Sequence, residues 1–563
     1  MPLSLALAIG AGTPPTRSLS PLAAFPGDLL ILVATYLQSR SDLHNFSLTS
    51  KHFMLNVQPE LYSTVTLSSA RQCVSTLGML FRRADLARHV RKLIVRPDRE
   101  QHRAHEDRKA AVAAVIELAA SQRLDALQAF DWDAEEMPPD DDLWFALRMG
   151  CPRLRCISTS IGFHITFRHS QLFDFSNLHG FRIKLKPGFY NDYADLFLQD
   201  HPTLQAFWDM LMNRCPDLQV LAIDGSASSA TEFTVIKSLL KGRWPKLREM
   251  SLGDVSLDPH APMMGAIHPF VTFLEEHPTL EMLRLSRHNI NPRFFSDLTP
   301  GALPELTKFH GSLEQLQSLP HLHHSLESVV FTEPMRTREF TPPTVSAVLL
   351  NISKLKHLQI SFTLTTMYDS NSLLRTIVHS CPHLQSFTLS CTQKPSFQLE
   401  SFSRTIRGLT KLRYFELNMV RYPGDEPIAA GAARIARCNP RLESFTLAFI
   451  PTYPPFSPSS LISSIPPMSS QLGIYHVTPD GHGLPYKLSG FERKLTLWPW
   501  GLWCTRSETR FTKNLRSDVA LGSEGLWKLV TERSIAGEEV RMMMFAFGLV
   551  TLALWGFLSS ALR

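Results

Sequence analysis

Cysteine is scarce in this chain: 8 in 563 residues, with no CxxC pair. Cys151 and Cys156 stand five apart with no second ligand pair near them, so a structural zinc site, which needs four clustered ligands, is not expected. Such sparse usage suits a reducing compartment. Charge is thin as well. Charged residues make up 19% of the chain against 44% apolar, a globular balance that excludes a disordered protein. The net charge of +6 is small for this length, and no basic strip is interleaved with aromatics, so nucleic acid is not an expected partner. There is no GxSxG elbow, no P-loop and no metal-ligand helix. The expectation is a non-catalytic protein without a cofactor.

What is present begins with a short apolar segment, Phe25-Pro26-Gly27-Asp28-Leu29-Leu30-Ile31-Leu32-Val33-Ala34-Thr35-Tyr36-Leu37. Pro26 suits a helix start, because its missing N–H would be unpaired there anyway, and Asp28 suits the dipole of the first turn. Ser41 and Ser50 are candidate N-caps for two further short helices, and Pro59 marks the end of that stretch. A helix apolar nearly all round must be covered on more than one face. Three short helices bury too little surface to stand alone, which predicts a partner that completes their core.

These residues resemble an F-box. Pro26, Asp28, Leu29, Leu30, Leu37, Asp42, Leu43, Ser47, Leu48, Ser50, Lys51, Leu61 and Tyr62 stand where that pattern has them. Phe25 and Phe53 depart from the usual Leu and Trp but remain apolar. The stretch Arg40-Ser41-Asp42-Leu43 through Leu61 to Leu67 is similar to filamentous-fungal members. The resemblance implies docking to a Skp-family adaptor and, through it, to a cullin–RING ubiquitin ligase. Pro26, Leu29, Leu30, Leu37, Leu43, Leu48, Ser50 and Lys51 would carry that contact.

From about residue 150 a Leu-x-x-Φ-x-Φ pattern returns. Strong copies start at Leu218, Leu247, Leu280 and Leu384, and weaker ones at Leu154, Leu178, Leu306, Leu326, Leu355, Leu412 and Leu442. Most steps are about 24–33 residues, a solenoid period near the upper end of the leucine-rich range. The closing alternation predicts a short strand with one buried face. Helical stretches such as Ser372–His379 fall between strands, and a Pro stops each near the next strand. One strand and one helix cannot bury themselves, but stacked neighbours can. Stacked helix pairs of the HEAT kind are the competing reading. If the strands line a concave sheet, Arg284, His357, Gln359, Thr388, Tyr414 and Glu416 face the groove as candidate contacts to a target protein.

The fold class expected is therefore α/β, a three-helix F-box followed by a leucine-rich-repeat-like solenoid. The expected segments are a disordered leader (1–20), the F-box (21–67), a linker and N-terminal cap (68–150), the repeat array (151–450) and a C-terminal cap with a Pro/Ser-rich insertion (451–540). Residues 82–109 hold ten Lys or Arg and five Asp or Glu and read as a solvated linker. The acidic run at 131–142 lacks calcium-loop spacing and reads as an exposed loop. Val477–Gly481 reads as a turn, and Trp498, Trp500 and Trp503 as a seal on the solenoid's open end. Residues 542–562 are uncharged between Arg541 and Arg563, long enough to cross a bilayer core, and are a candidate transmembrane tail. If the tail inserts, the chain sits on the cytosolic face of an intracellular membrane. If that tail instead caps the last repeat, the location is cytoplasmic or nuclear. The functional expectation is the substrate-recognition subunit of a Skp–cullin–F-box ligase. The alternative is a membrane-anchored F-box scaffold that recruits no cullin.

Overall fold

The computed structural model describes residues 26–37, 40–97, 104–163, 170–193, 202–225, 234–257, 267–364, 369–395, 397–421, 426–450, 468–497, 504–516 and 528–529. The chain divides into two compact units, Met1–Thr234 and Val235–Arg563.

The first unit opens with three helices, α1 (Gly27–Tyr36), α2 (Arg40–Ser47) and α3 (Lys51–Leu61). Pro26 occupies the N-cap of α1. The Ser50 hydroxyl accepts the Phe53 N–H at 3.2 Å and so starts α3. Ser41 lies inside α2, which begins one residue earlier, and α3 runs through Pro59 rather than ending at it. Ala34, Leu43 and Val57 form the small core of this cluster, with Leu37, Phe46 and Leu61 packed on it.

A parallel ladder follows at once: β1 (Thr64–Leu67), β2 (Lys92–Val95), β3 (Ala129–Trp132), β4 (Cys156–Ile161), β5 (Gly180–Leu185) and β6 (Val220–Gly225), each paired with the next. The ladder thus starts well before residue 150. Residues 82–109 are not a bare linker, because they hold β2. The run at 131–142 is not an exposed loop. Asp131 lies in β3, and Asp133 meets Arg96 at 2.9 Å and Lys186 at 3.3 Å. Lys184 reaches Asp131 at 3.0 Å, and Glu136 is buried. Burial works to raise the Asp133 carboxyl, but the charges of Lys184 and Lys186 outweigh it and hold the carboxyl below its ordinary value.

The connectors are helices α4 (Ala70–Arg82), α5 (Ala104–Ala120) and α6 (Asp142–Gly150), each packed on the next. The approach of α5 and α6 is close enough that a Cβ on Gly150 would meet the Ala119 carbonyl oxygen, so only glycine fits there.

The second unit repeats the plan with β7 (Glu249–Leu252), β8 (Met282–Arg284), β9 (Lys308–Gly311), β10 (Ser328–Phe331), β11 (His357–Thr363), β12 (Ser386–Pro395), β13 (Tyr414–Val420) and β14 (Ser444–Ile450). All pair in parallel with their sequence neighbours. Each strand after a Leu of the repeat pattern begins two residues beyond that Leu. The Leu itself is buried, as are the two apolar residues that follow it on the inner face. This strand ladder excludes stacked helix pairs; the architecture is a mixed α/β, leucine-rich-repeat-like solenoid. Cys151, Cys215 and Cys381, each followed by Pro, are buried where a connector meets the next strand. Burial pushes the thiols of Cys151 and Cys381 up to about 12, which leaves them inert packing groups.

Three long antiparallel strands, β15 (Met468–Pro479), β16 (Pro485–Leu497) and β17 (Cys504–Asn514), end the ladder on β14. The turn between β15 and β16 lies at 480–484, later than expected. There the Asp480 carboxylate accepts the His482 and Leu484 N–H groups, and Gly483 takes φ +78°. Trp498, Trp500, Trp503, the leader at 1–20, most of the Pro/Ser-rich insertion and the tail at 542–562 lie outside the described residues. Among those described, no helix is long and apolar enough to cross a membrane.

Candidate functional site

Two surfaces separate from the packed core. The first is on the helical cluster. Helix α1 turns Leu30 and Ala34 inward, leaving Leu29, Leu32, Val33 and Tyr36 exposed at i, i+3, i+4 and i+7. Ile31 on the same helix, Leu48 after α2, and Met54 and Leu55 on α3 are exposed as well. Eight of the seventeen exposed large apolar side chains among the described residues therefore fall between residues 26 and 61. A monomer rarely leaves so much apolar surface on so few residues.

The residues expected to touch an adaptor divide accordingly. Pro26, Leu29, Leu48 and Lys51 are exposed. Leu30 and Leu43, at 2% and 7% exposure, are buried and hold the cluster together rather than lying open on its surface. Leu37 is half-buried against the core, and Ser50 serves as the cap of α3. Nothing in the sequence marks Leu32, Val33 and Tyr36 as outward, because a helix apolar all round shows no preferred side until its neighbour is placed. Behind the cluster, Leu61, Val65, Leu67 and Leu80 line a cleft of about 470 Å³ with Arg40 and His44.

The second surface is the open face of the second unit's sheet. Along β11–β14, alternate residues are buried and the others open to solvent. Register brings Gln359, Thr388, Glu416 and Thr446 into one row, and His357, Ser386, Tyr414 and Ser444 into another. Arg284 stands further along the same face, beside His310. All six side chains expected on the groove thus share one face, in small polar surroundings. Asn418 donates to Ser390 at 3.1 Å and to Glu416 at 3.0 Å. The Tyr414 hydroxyl donates to Glu443 at 2.9 Å, and that carboxylate holds the phenol above its ordinary range.

His310 is half-buried on this face. Its burial, with the charges of Arg284 and Lys308, pushes the imidazole down to about 4. Between pH 6.5 and 4 the unfolded chain protonates this ring and the folded one does not, so stability is lost as pH falls through that window. The expected size is roughly 2–3 kcal/mol. Chemical denaturation of His310→Gln across this range should give a flatter stability profile than the wild type, and identical profiles would remove His310 from the account.

No protein-family model matches the sequence. No curated protein matches it either. Among solved structures, the chain is similar to the leucine-rich repeat-containing protein LegL7 from Legionella pneumophila, with 14% identity and a TM-score of 0.32, over 52% of this chain and 90% of that one. At that score the likeness adds nothing to the strand ladder itself.

Proposed function

We propose that this chain is the substrate-recognition subunit of a Skp–cullin–F-box ubiquitin ligase. In this reading α1–α3 form the F-box and dock a Skp-family adaptor, while the open sheet face of the second unit holds a target protein. The observation that carries it is the concentration of exposed Leu, Ile, Val, Met and Tyr side chains on those three helices. Each half-exposed Leu that an adaptor covers contributes on the order of 1 kcal/mol, so several together make a stable interface. The chain needs no chemistry of its own. Holding the ligase at one end and the target elsewhere raises the effective concentration of acceptor lysines near the ubiquitin donor.

The test is reconstitution. Mixing the full chain with a purified Skp-family adaptor should give one co-eluting complex by size-exclusion chromatography, and adding cullin should extend it. No co-elution with adaptor would end the F-box reading. Adaptor without cullin would leave only a scaffold.

A further inference from the structure

The open face of the second unit has a cationic corner that the acids among the described residues leave unbalanced. Arg284 on β8 and His310 on β9 are register partners, and Lys308 precedes His310 by two residues on the same face. Arg284 and Lys308 are exposed, whereas Leu283 and Phe309 between them are fully buried. Adjacent strands lie about 4.8 Å apart, so three basic side chains share a small area. Several basic residues near it are paired: Arg248 with Glu281 at 2.9 Å, Arg287 with Glu333 at 3.0 Å, Lys356 with Glu327 at 2.7 Å and Arg413 with Glu443 at 3.1 Å. Among the described residues, neither Arg284 nor Lys308 has a carboxylate partner. Glu249, the acid on neighbouring β7, stands beside Met282 and has an interaction of its own.

Their surroundings suit an extended polar chain. Ser328 stands beside Lys308 and Val330 beside His310, while Ser251, beside Arg284, is buried. Apart from the His310 ring, the open positions of β7–β10 carry no aromatic side chain on which a nucleic-acid base could stack. Two cations without a carboxylate partner among the described residues, beside the Ser328 hydroxyl and a neutral imidazole, complement carboxylates or phosphate esters on a peptide.

We propose that this corner is the anchoring subsite for an acidic segment of the bound protein, laid across β8 and β9 on Arg284, Lys308 and His310. The inference rests on reading the open face as the target-binding surface.

Fluorescent peptides test it on the full chain. The probes are a Glu/Ser peptide, its phosphoserine counterpart, a Lys/Ser peptide and an oligothymidylate of matching length. The acidic peptides should bind, weaken as salt rises, and lose at least about tenfold in affinity on Arg284→Glu with Lys308→Glu. Comparison of the two acidic probes separates carboxylate from phosphate recognition. Both substituted side chains are exposed, so melting and adaptor co-elution should match the wild type. Unchanged peptide affinity in the double variant would overturn the assignment, as would absence of acidic-peptide binding by the wild type. Tighter binding of the oligonucleotide would replace it with a nucleic-acid surface. Normal adaptor recovery alongside any of these failures would leave the F-box reading standing.

Discussion

Replacing Leu32 and Leu48 with aspartate should abolish recovery of a Skp-family adaptor while the melting of both units stays at the wild-type value. Both side chains are exposed, at 52% and 67%, so neither carboxylate needs to be desolvated in the free chain. Helix α1 keeps its hold on α3 through Leu30 and Ala34, which the substitutions do not touch. On docking, however, each carboxylate would enter an apolar interface with no cation to meet it. An uncompensated buried charge costs about 3–5 kcal/mol, so two together weaken binding by more than about a thousandfold. Leu30→Asp is the wrong variant for this purpose. It places a charge inside the cluster and would lose the adaptor simply by unfolding the helices. Adaptor pull-down with a parallel melt distinguishes the cases, and wild-type recovery by the surface variant would show that the adaptor docks elsewhere or not at all.

Much of the ladder is legible locally, because most repeats place a buried Leu two residues before the strand and apolar residues on the strand's inner face. Strands β2 and β3 show where that legibility fails. Leu127-Gln128-Ala129-Phe130-Asp131-Trp132 carries the full pattern, and Val90-Arg91-Lys92-Leu93-Ile94-Val95 carries it with Val in the lead. Both sit among dense charges that read as solvated, and only the fold pairs those charges. Asp131 meets Lys184, which lies far along the chain on β5. No local window contains that partner. The helical cluster is ambiguous for another reason. Leu30 and Leu32 are indistinguishable in an apolar helix until α3 chooses a side. Arg284 is readable as an outward residue by strand alternation, but its unbalanced charge depends on which acids the fold brings near, and so do Lys308 and His310.

Trp244→Ala should be among the most damaging single changes in the second unit. The indole is fully buried between Phe273 and His277, with ring centroids 6.3 and 6.1 Å away. His277 is also fully buried. Its Nδ1 lies 2.6 Å from the Phe273 carbonyl, and its Nε2 accepts the Trp244 backbone N–H at 3.1 Å. That arrangement requires a neutral ring, and burial holds its pKa below the ordinary value. Truncation keeps the backbone bond but opens a cavity beside the imidazole, at a cost of about 3–5 kcal/mol. Trp244→Phe retains part of the packing and should cost less. In a solenoid each repeat is stabilised by its own core and its two interfaces, so the loss falls first on the strands that flank the damaged connector. Hydrogen exchange should therefore show β7 and β8 deprotected in the alanine variant while β13 and β14 keep most of their protection. Equal loss along the whole ladder would mean that the second unit unfolds as one cooperative block. Unchanged protection at β7 and β8 would mean that this indole does not hold those repeats together.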